Sequence, residues 1–85
     1  MYVSISIKDK TYQQDADSKE LLKMLKPLKE DASIRGLSVS KDYMGTEYLC
    51  MLQVHYSDRI EYLGVVFCVA SELPLLEECL DNIHL

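Results

Sequence analysis

The sequence predicts an α+β fold: one small domain over residues 1–85, in which a four-stranded, mostly antiparallel sheet carries two helices on one face. Three observations predict it. Apolar and polar residues alternate in Tyr2–Lys8, two long apolar runs flank a polar turn in Tyr48–Val69, and apolar residues recur at helical spacing from Ser18 and again from Ser71. The predicted order of elements is therefore β-α-β-β-β-α.

The segment Tyr48–Val69 is the centre of the predicted sheet. Its two runs are rich in β-branched and aromatic residues and flank Ser57-Asp58, which is typical of two strands joined by a tight turn. A turn of two or four residues pairs apolar residues with apolar ones, whereas a slip by one residue would exchange the two faces. The favoured register gives these pairs on the core face: Leu52–Leu63, Cys50–Val65 and Tyr48–Phe67.

The preceding strand, residues 34–43, supports the same core face. If Met44-Gly45 forms the turn, with the glycine supplying a positive φ, Val39 lies opposite Cys50 and Leu37 lies opposite Leu52. Two separate turns therefore select one face of the third strand, residues 46–56, as the buried one.

The first strand is predicted over Tyr2–Lys8, with Val3, Ile5 and Ile7 turned inward. Residues 9–17 are interpreted as a polar connection to the first helix. The pairing of this strand stays open at this stage. The crossover rule favours a position parallel to one edge of the later strands, and a longer connection would reverse its direction.

The first helix is predicted over residues 18–26, with Asp17 or Ser18 as its N-cap. Its apolar residues share one face, and lysines line the other. Pro27 is the difficulty, because a proline in a helix interior removes a backbone donor and costs about 3 kcal/mol. We therefore expect a kink at this point or a short second turn beyond it.

The second helix is predicted to follow Ser71, a plausible N-cap, with Pro74 tolerated in the first turn. His84 falls near its C-terminus, where an interaction with the helix dipole is a sufficient explanation. The inward face of this helix carries Leu73, Leu76, Leu80 and Ile83.

The cysteines and glycines exclude several classes of chemistry. Cys50, Cys68 and Cys79 lie in apolar contexts with no CxxC spacing, so buried free thiols are predicted and a zinc site is not. The three glycines are isolated, which excludes a phosphate-binding loop. No metal and no cofactor are predicted.

A cysteine–histidine enzyme is also disfavoured. The mid-chain histidine, His55, lies on the sheet face opposite Cys50 in the favoured register. Cys68 shares its face but stands several rungs away, too far for a hydrogen bond between base and nucleophile. We therefore predict that the protein is not an enzyme. Loss of an activity on His55→Ala, at unchanged stability, would indicate otherwise.

Charge and hydropathy restrict the partners. Residues 1–41 carry eight Lys/Arg against six Asp/Glu, or +2, and residues 42–85 carry one against eight, or −7, which together give −5. The acidic charge of residues 42–85 argues against nucleic acid as a partner, because phosphate binding depends on Lys and Arg. No apolar run is long enough to span a membrane, and the first residues alternate rather than forming a signal peptide. A cytoplasmic protein is expected.

The second face of the sheet is the predicted partner-binding surface. If both helices cover one face, the other presents a mixed surface, apolar in the middle and edged by serines, which is typical of an interaction site. A helix that crossed to this face would make the same residues ordinary core. In the predicted register, Cys68 shares this face. The residues assigned to partner binding are Leu49, Met51, Gln53, His55, Ile60, Tyr62 and Val66.

These features favour a non-enzymatic protein-binding module that docks its open sheet face or its exposed edge on another protein with a basic surface. By analogy of size and charge, such chains suit stoichiometric inhibitors, immunity proteins and other antagonists of phage or plasmid type. A homodimer formed through two faces or two edges is equally physical. The alternative is a small-ligand-binding regulatory domain in which a homodimer interface forms the pocket.

Overall fold

The computed structural model describes residues 1–83 and contains five strands rather than the predicted four. The prediction made for His84 lies outside these residues. A single 3-10 turn, Ala70–Glu72, precedes the second helix. The elements are β1 Tyr2–Ile7, β2 Lys10–Asp15, α1 Ser18–Lys29, β3 Ile34–Tyr43, β4 Tyr48–Tyr56, β5 Ile60–Cys68 and α2 Leu73–Asp81.

The sheet has the strand order β2-β1-β5-β4-β3, and every neighbouring pair is antiparallel. Helix α1 connects β2 at one edge to β3 at the other. The strands β3 to β5 then return across the sheet until β5 pairs with β1. The expectation that the first strand lies parallel to one edge is therefore wrong, because the extra strand β2 reverses the chain before it enters the helix.

Strand β2 replaces the polar connection predicted over residues 9–17. Five of its six residues are exposed, and Tyr12, which packs against the core, is its only large apolar side chain. An edge strand that buries only one side chain lacks the alternation by which strands are recognised. The turn that links it to β1 uses Lys8, which has a positive φ of 55°.

Helix α1 continues through Pro27 to Lys29 as one helix, so it does not end at residue 26 and no separate turn follows the proline. Its N-cap is Asp17: the carboxylate accepts a hydrogen bond from the Glu20 amide at 2.8 Å, and the Glu20 side chain accepts one from the Asp17 amide at 3.1 Å. Leu28, one residue after the proline, is buried in the core. That burial offsets the lost backbone hydrogen bond, since fully burying a leucine contributes about 2 kcal/mol.

The core lies between the helices and one face of the sheet. Both helices pack on this face, and among residues 1–83 no polar or charged side chain is buried. No helix within the same residues is long and apolar enough to span a bilayer. The buried residues of the sheet face are Val3, Ile5, Ile7, Ile34, Cys50, Leu52, Val54, Leu63, Val66 and Cys68, and those of the helices are Leu21, Met24, Leu25, Leu28, Leu76, Cys79 and Leu80.

The register between β4 and β5 follows the prediction near the turn and departs from it beyond. His55 pairs with Ile60 and Gln53 with Tyr62, as predicted, but Leu52 then pairs with Gly64 instead of Leu63. The extra residue in β5 is a β-bulge, and beyond it every side chain of β5 changes face. Val66 and Cys68 consequently lie in the core, whereas Val65 and Phe67, predicted as core, lie on the other face.

The register between β3 and β4 also differs, with a smaller consequence. Val39 pairs with Leu52 and Leu37 with Val54, a shift of two residues from the prediction. Because side chains alternate with a period of two, such a shift leaves each residue on its predicted face. The turn contains Gly45 with a φ of 92°, as expected.

Candidate functional site

The sheet face opposite the helices, here called the open face, is organised in rungs that cross all five strands. The first rung has apolar side chains in its middle and carboxylates at both ends. The second has apolar side chains flanked by hydroxyl and amide groups. In order from β2 to β3, the first consists of Asp15, Tyr2, Phe67, Leu49 and Asp42, and the second of Gln13, Ser4, Val65, Met51 and Ser40.

The four side chains Leu49, Met51, Val65 and Phe67 form what we call the apolar centre. They sit on the two adjacent strands β4 and β5, and each is half-buried, by its neighbours on the same face. Tyr2 extends the patch, with its ring 6.4 Å from that of Phe67 and its side chain 42% exposed. No element within residues 1–83 covers this surface, because both helices lie on the other side of the sheet.

The charges of the open face are arranged around the apolar centre. Asp15 and Asp42 close the first rung at opposite edges of the sheet, four strand spacings apart, which corresponds to about 19 Å. No lysine or arginine occurs in either rung. A partner that covers the apolar centre would therefore meet a carboxylate on each side.

Four of the predicted binding residues extend the open face beyond the second rung. Gln53 and His55 lie on β4 and are half-buried, while Ile60 and Tyr62 lie on β5 and are 57% and 64% exposed. With Leu49 and Met51 in the apolar centre, six of the seven assigned positions share this face.

The seventh residue assigned to partner binding, Val66, does not lie on the open face, so its assignment is wrong. Its side chain is fully buried beneath the helices, and Cys68 is buried with it. The bulge in β5 explains this correction, and it also explains why Val65 and Phe67 were missed. The signal that points to them is Gly64, since an isolated glycine inside a strand pattern often marks a bulge or a close approach of two backbones.

Ser38 and His55 form a polar pair at the edge of the open face. Ser38 Oγ and His55 Nε2 are hydrogen-bonded at 2.7 Å across β3 and β4. Such a contact is one element of a nucleophile–base arrangement, but an acyl-transfer site also needs a third group that orients the base. No second hydrogen bond of the His55 ring is formed with residues 1–83.

The three cysteines are buried and free. Cys50 and Cys68 lie on adjacent strands with their Sγ atoms 3.8 Å apart, and the Cys79 thiol donates to the Ser18 carbonyl oxygen at 3.5 Å. Burial, followed by the contact with Cys50, raises the pKa of the Cys68 thiol to about 12. Burial also raises the pKa of Cys50 and of Cys79. Protonated, enclosed thiols of this kind are structural rather than nucleophilic.

A groove of about 550 Å³ lies on the helical side, between α1 and the end of α2. Leu22 and Ile83 contribute apolar surface, and three lysines of α1 stand along it. No group of three or more metal-ligating side chains is found within the described chain, residues 1–83.

Comparison with protein-family models, with curated proteins and with solved structures finds no match for this chain. The functional proposal therefore depends on the geometry of the open face.

Proposed function

We propose that this protein is a non-enzymatic protein-binding module that docks its open face on another protein. The observation that supports the proposal is the apolar centre: four large side chains gathered in the middle of a sheet face that neither helix covers. Contiguous apolar surface rimmed by polar groups is characteristic of interaction sites on monomeric domains. Methionine and aromatic residues, both present here, are enriched in such interfaces.

The charge distribution supports a partner with a basic surface. The open face has carboxylates at Asp15 and Asp42, and residues 42–85 carry one basic residue against eight acidic ones. Complementary charge mostly raises the rate of association, so binding should weaken as salt increases. The small size and acidity of the chain suit a stoichiometric inhibitor or antagonist, and the three reduced thiols suit the cytoplasm.

The experiment compares two single substitutions, each of which places a glutamate at an apolar position of the surface. Met51→Glu lies in the apolar centre, and Leu22→Glu lies on α1, on the opposite side of the molecule. Immobilised wild-type protein and both variants are used to capture proteins from a cell extract, at low and at high salt. We expect the specifically retained protein to be lost with Met51→Glu and kept with Leu22→Glu.

Folding of both variants is checked by circular dichroism, so that loss of binding cannot be attributed to unfolding. Equal retention by the wild-type protein and a folded Met51→Glu variant would contradict docking through the open face. Retention that does not respond to salt would contradict only the electrostatic part of the proposal.

A further inference from the structure

Strand β3 is an edge of the sheet, and its middle segment lacks the charges and bulges that usually protect edges; the register shift of this strand lies at its start, between Ile34 and Gly36. It is ten residues long, and no residue within 1–83 pairs with its outer side. Its segment Gly36–Ser40 carries no charge, and Leu37, Ser38 and Val39 are half-buried rather than exposed. The opposite edge, β2, has six residues and includes Lys10 and Asp15. Long, uncharged edges present unpaired backbone groups to any other strand.

The hydrogen-bond pattern shows which groups are unpaired. The Met44 amide donates to the Glu47 carbonyl oxygen at 2.7 Å, which makes these residues a hydrogen-bonded pair at the turn. Such pairs alternate along an antiparallel ladder. Ser38 and Ser40 therefore direct their backbone groups toward β4, and the residues whose N–H and C=O groups point away from the sheet are Leu37, Val39 and Lys41.

We propose that the outer edge of β3 binds a second copy of the same chain, antiparallel and about a two-fold axis, so that two sheets become one sheet of ten strands. The strand itself favours self-association, because Arg35 and Asp42 balance each other and Lys41 forms an ion pair with Glu77 of α2, so this edge carries no net charge within a chain of net charge −5. The acidic repulsion between two chains is thus weak along this edge.

The residues that face each other across the axis also select the register between the two β3 strands. A two-fold axis perpendicular to the sheet keeps the open faces of both chains on the same side only if a residue is paired with its own copy on the axis. The two such registers with the longest overlap of the strands place Ser38 or Val39 on the axis. With Ser38 on the axis, Lys41 of one chain falls opposite Arg35 of the other, at the register shift between Ile34 and Gly36, so of the outward-pointing residues only Leu37 and Val39 form regular pairs. With Val39 on the axis, no two like charges are directly opposed.

In the Val39 register, each chain's outward backbone groups meet those of the other. Val39 pairs with its own copy and Leu37 pairs with Lys41, so all three outward-pointing residues gain hydrogen bonds. The valines meet on the helical side, where they continue the core, and Ser38 and Ser40 meet on the open side. Because the axis is perpendicular to the sheet, both open faces lie on the same side of the dimer.

The oligomeric state is measured by sedimentation velocity and light scattering over a wide range of concentration. We expect a species with twice the chain mass of 9.8 kDa. Val39→Lys and Val39→Glu each place two like charges against one another at the axis, and each should weaken the dimer about tenfold or more. Mixing the two variants should restore dimerisation, because opposite charges then meet.

The matched controls, Gln14→Lys and Gln14→Glu, place the same charges on the exposed edge strand β2 and should leave the dimer unchanged. Amide exchange of the wild-type protein provides a test without substitutions: the amides of Leu37, Val39 and Lys41 should become protected as concentration rises. A monomer at every concentration with rapid exchange at these amides would overturn the inference. A dimer that persists in Val39→Lys would overturn it as well.

Discussion

The backbone of Gly64 in β5 passes so close to β1 that a β-carbon at position 64 would lie 2.3 Å from the Ser4 carbonyl oxygen and 2.7 Å from the Ile5 α-carbon. Gly64 also has a φ of 149°, a conformation that residues with a side chain rarely adopt. The close approach adjoins the bulge in β5. One residue thus permits both the pairing of β1 with β5 and the change of register that assigns Val65 and Val66 to opposite faces.

Gly64→Ala should therefore destabilise the fold strongly. The added methyl group clashes with backbone atoms, which cannot move aside as a flexible side chain would, and the backbone strain adds to this; we expect a loss of about 3 kcal/mol or more in the free energy of unfolding. Gly45→Ala is the control. Gly45 also has a positive φ, but nothing lies within 4 Å of its β-carbon position, so about 1 kcal/mol is expected.

Urea denaturation of both variants measures the difference. Equal effects at the two positions would show that the close contact between β5 and β1 does not determine stability, and that backbone conformation alone does.

The same residue shows how far the sequence determines the sheet. Alternation placed β4 correctly, because Cys50 and Leu52 lie toward the core and Leu49 and Met51 lie on the open face. Alternation could not show on which face the side chains of the outer half of β5 lie, since one inserted residue exchanges the two faces. Val65 and Val66 are equally suited to a core, so residue type does not decide either. Pairing with β1, a contact across about sixty positions of sequence, decides between them.

Strand β2 was missed for a different reason. Alternating hydrophobicity reports burial on one face, and β2 has little buried surface, since five of its six residues are exposed at the edge of the sheet. Without β2 the sequence has no means of reversing the chain before α1, so the position of β1 could not be derived. The part of the open face that β4 contributes was predictable, because the alternation of β4 is regular.

The N-terminus of α1 offers a second test. Asp17→Ala removes the carboxylate that accepts from the Glu20 amide and leaves that amide without a partner, so a loss of about 1 kcal/mol is expected. The hydroxyl of the neighbouring Ser18 makes no such contact, so Ser18→Ala should change the free energy of unfolding by about 0.3 kcal/mol or less. Urea denaturation distinguishes them. A larger loss from Ser18→Ala than from Asp17→Ala would contradict the assignment of the cap.

The buried thiols predict that stability depends on pH and that thiol reactivity depends on unfolding. The folded state raises the pKa of Cys68 to about 12 from a usual value of 9.0, so the folded chain retains a proton that the unfolded chain releases. This contribution is complete below pH 9 and is lost as pH rises from there toward 12, so the urea midpoint should fall as pH rises from 9 toward 12.

Thiol labelling provides an independent readout. With Ellman's reagent near neutral pH, the native protein should react slowly, and the denatured protein should react rapidly at all three cysteines, Cys50, Cys68 and Cys79. Rapid labelling of the native chain at any of them would contradict the burial described here.

The Ser38–His55 pair predicts an absence of nucleophilic reactivity. Without a third group to orient the imidazole, the hydroxyl should not be activated, and a fluorophosphonate probe should not label the native protein. His55→Ala should reduce the free energy of unfolding by about 1 kcal/mol or less, because it removes one partly exposed hydrogen bond. Stoichiometric labelling at Ser38 that disappears in His55→Ala would instead indicate an enzyme.

The sharpest test of the open face uses two adjacent residues of identical chemistry. Val66 is fully buried, and Val66→Glu would enclose an unpaired carboxylate in an apolar core, at a cost of about 4 kcal/mol or more. A small domain is stabilised by only about 5 kcal/mol, so we expect this variant to be largely unfolded. Val65→Glu places the same group on the open face, where water can solvate it, and should cost about 1 kcal/mol.

Circular dichroism and the dispersion of amide resonances measure both outcomes. If Val65→Glu unfolds the chain as Val66→Glu does, the apolar centre is covered within the folded protein, and docking through this face is contradicted. If only Val66→Glu unfolds it, the side chains of the first two rungs face solvent. The folded Val65→Glu protein then serves as a second binding-deficient variant beside Met51→Glu, because both place a charge in the apolar centre.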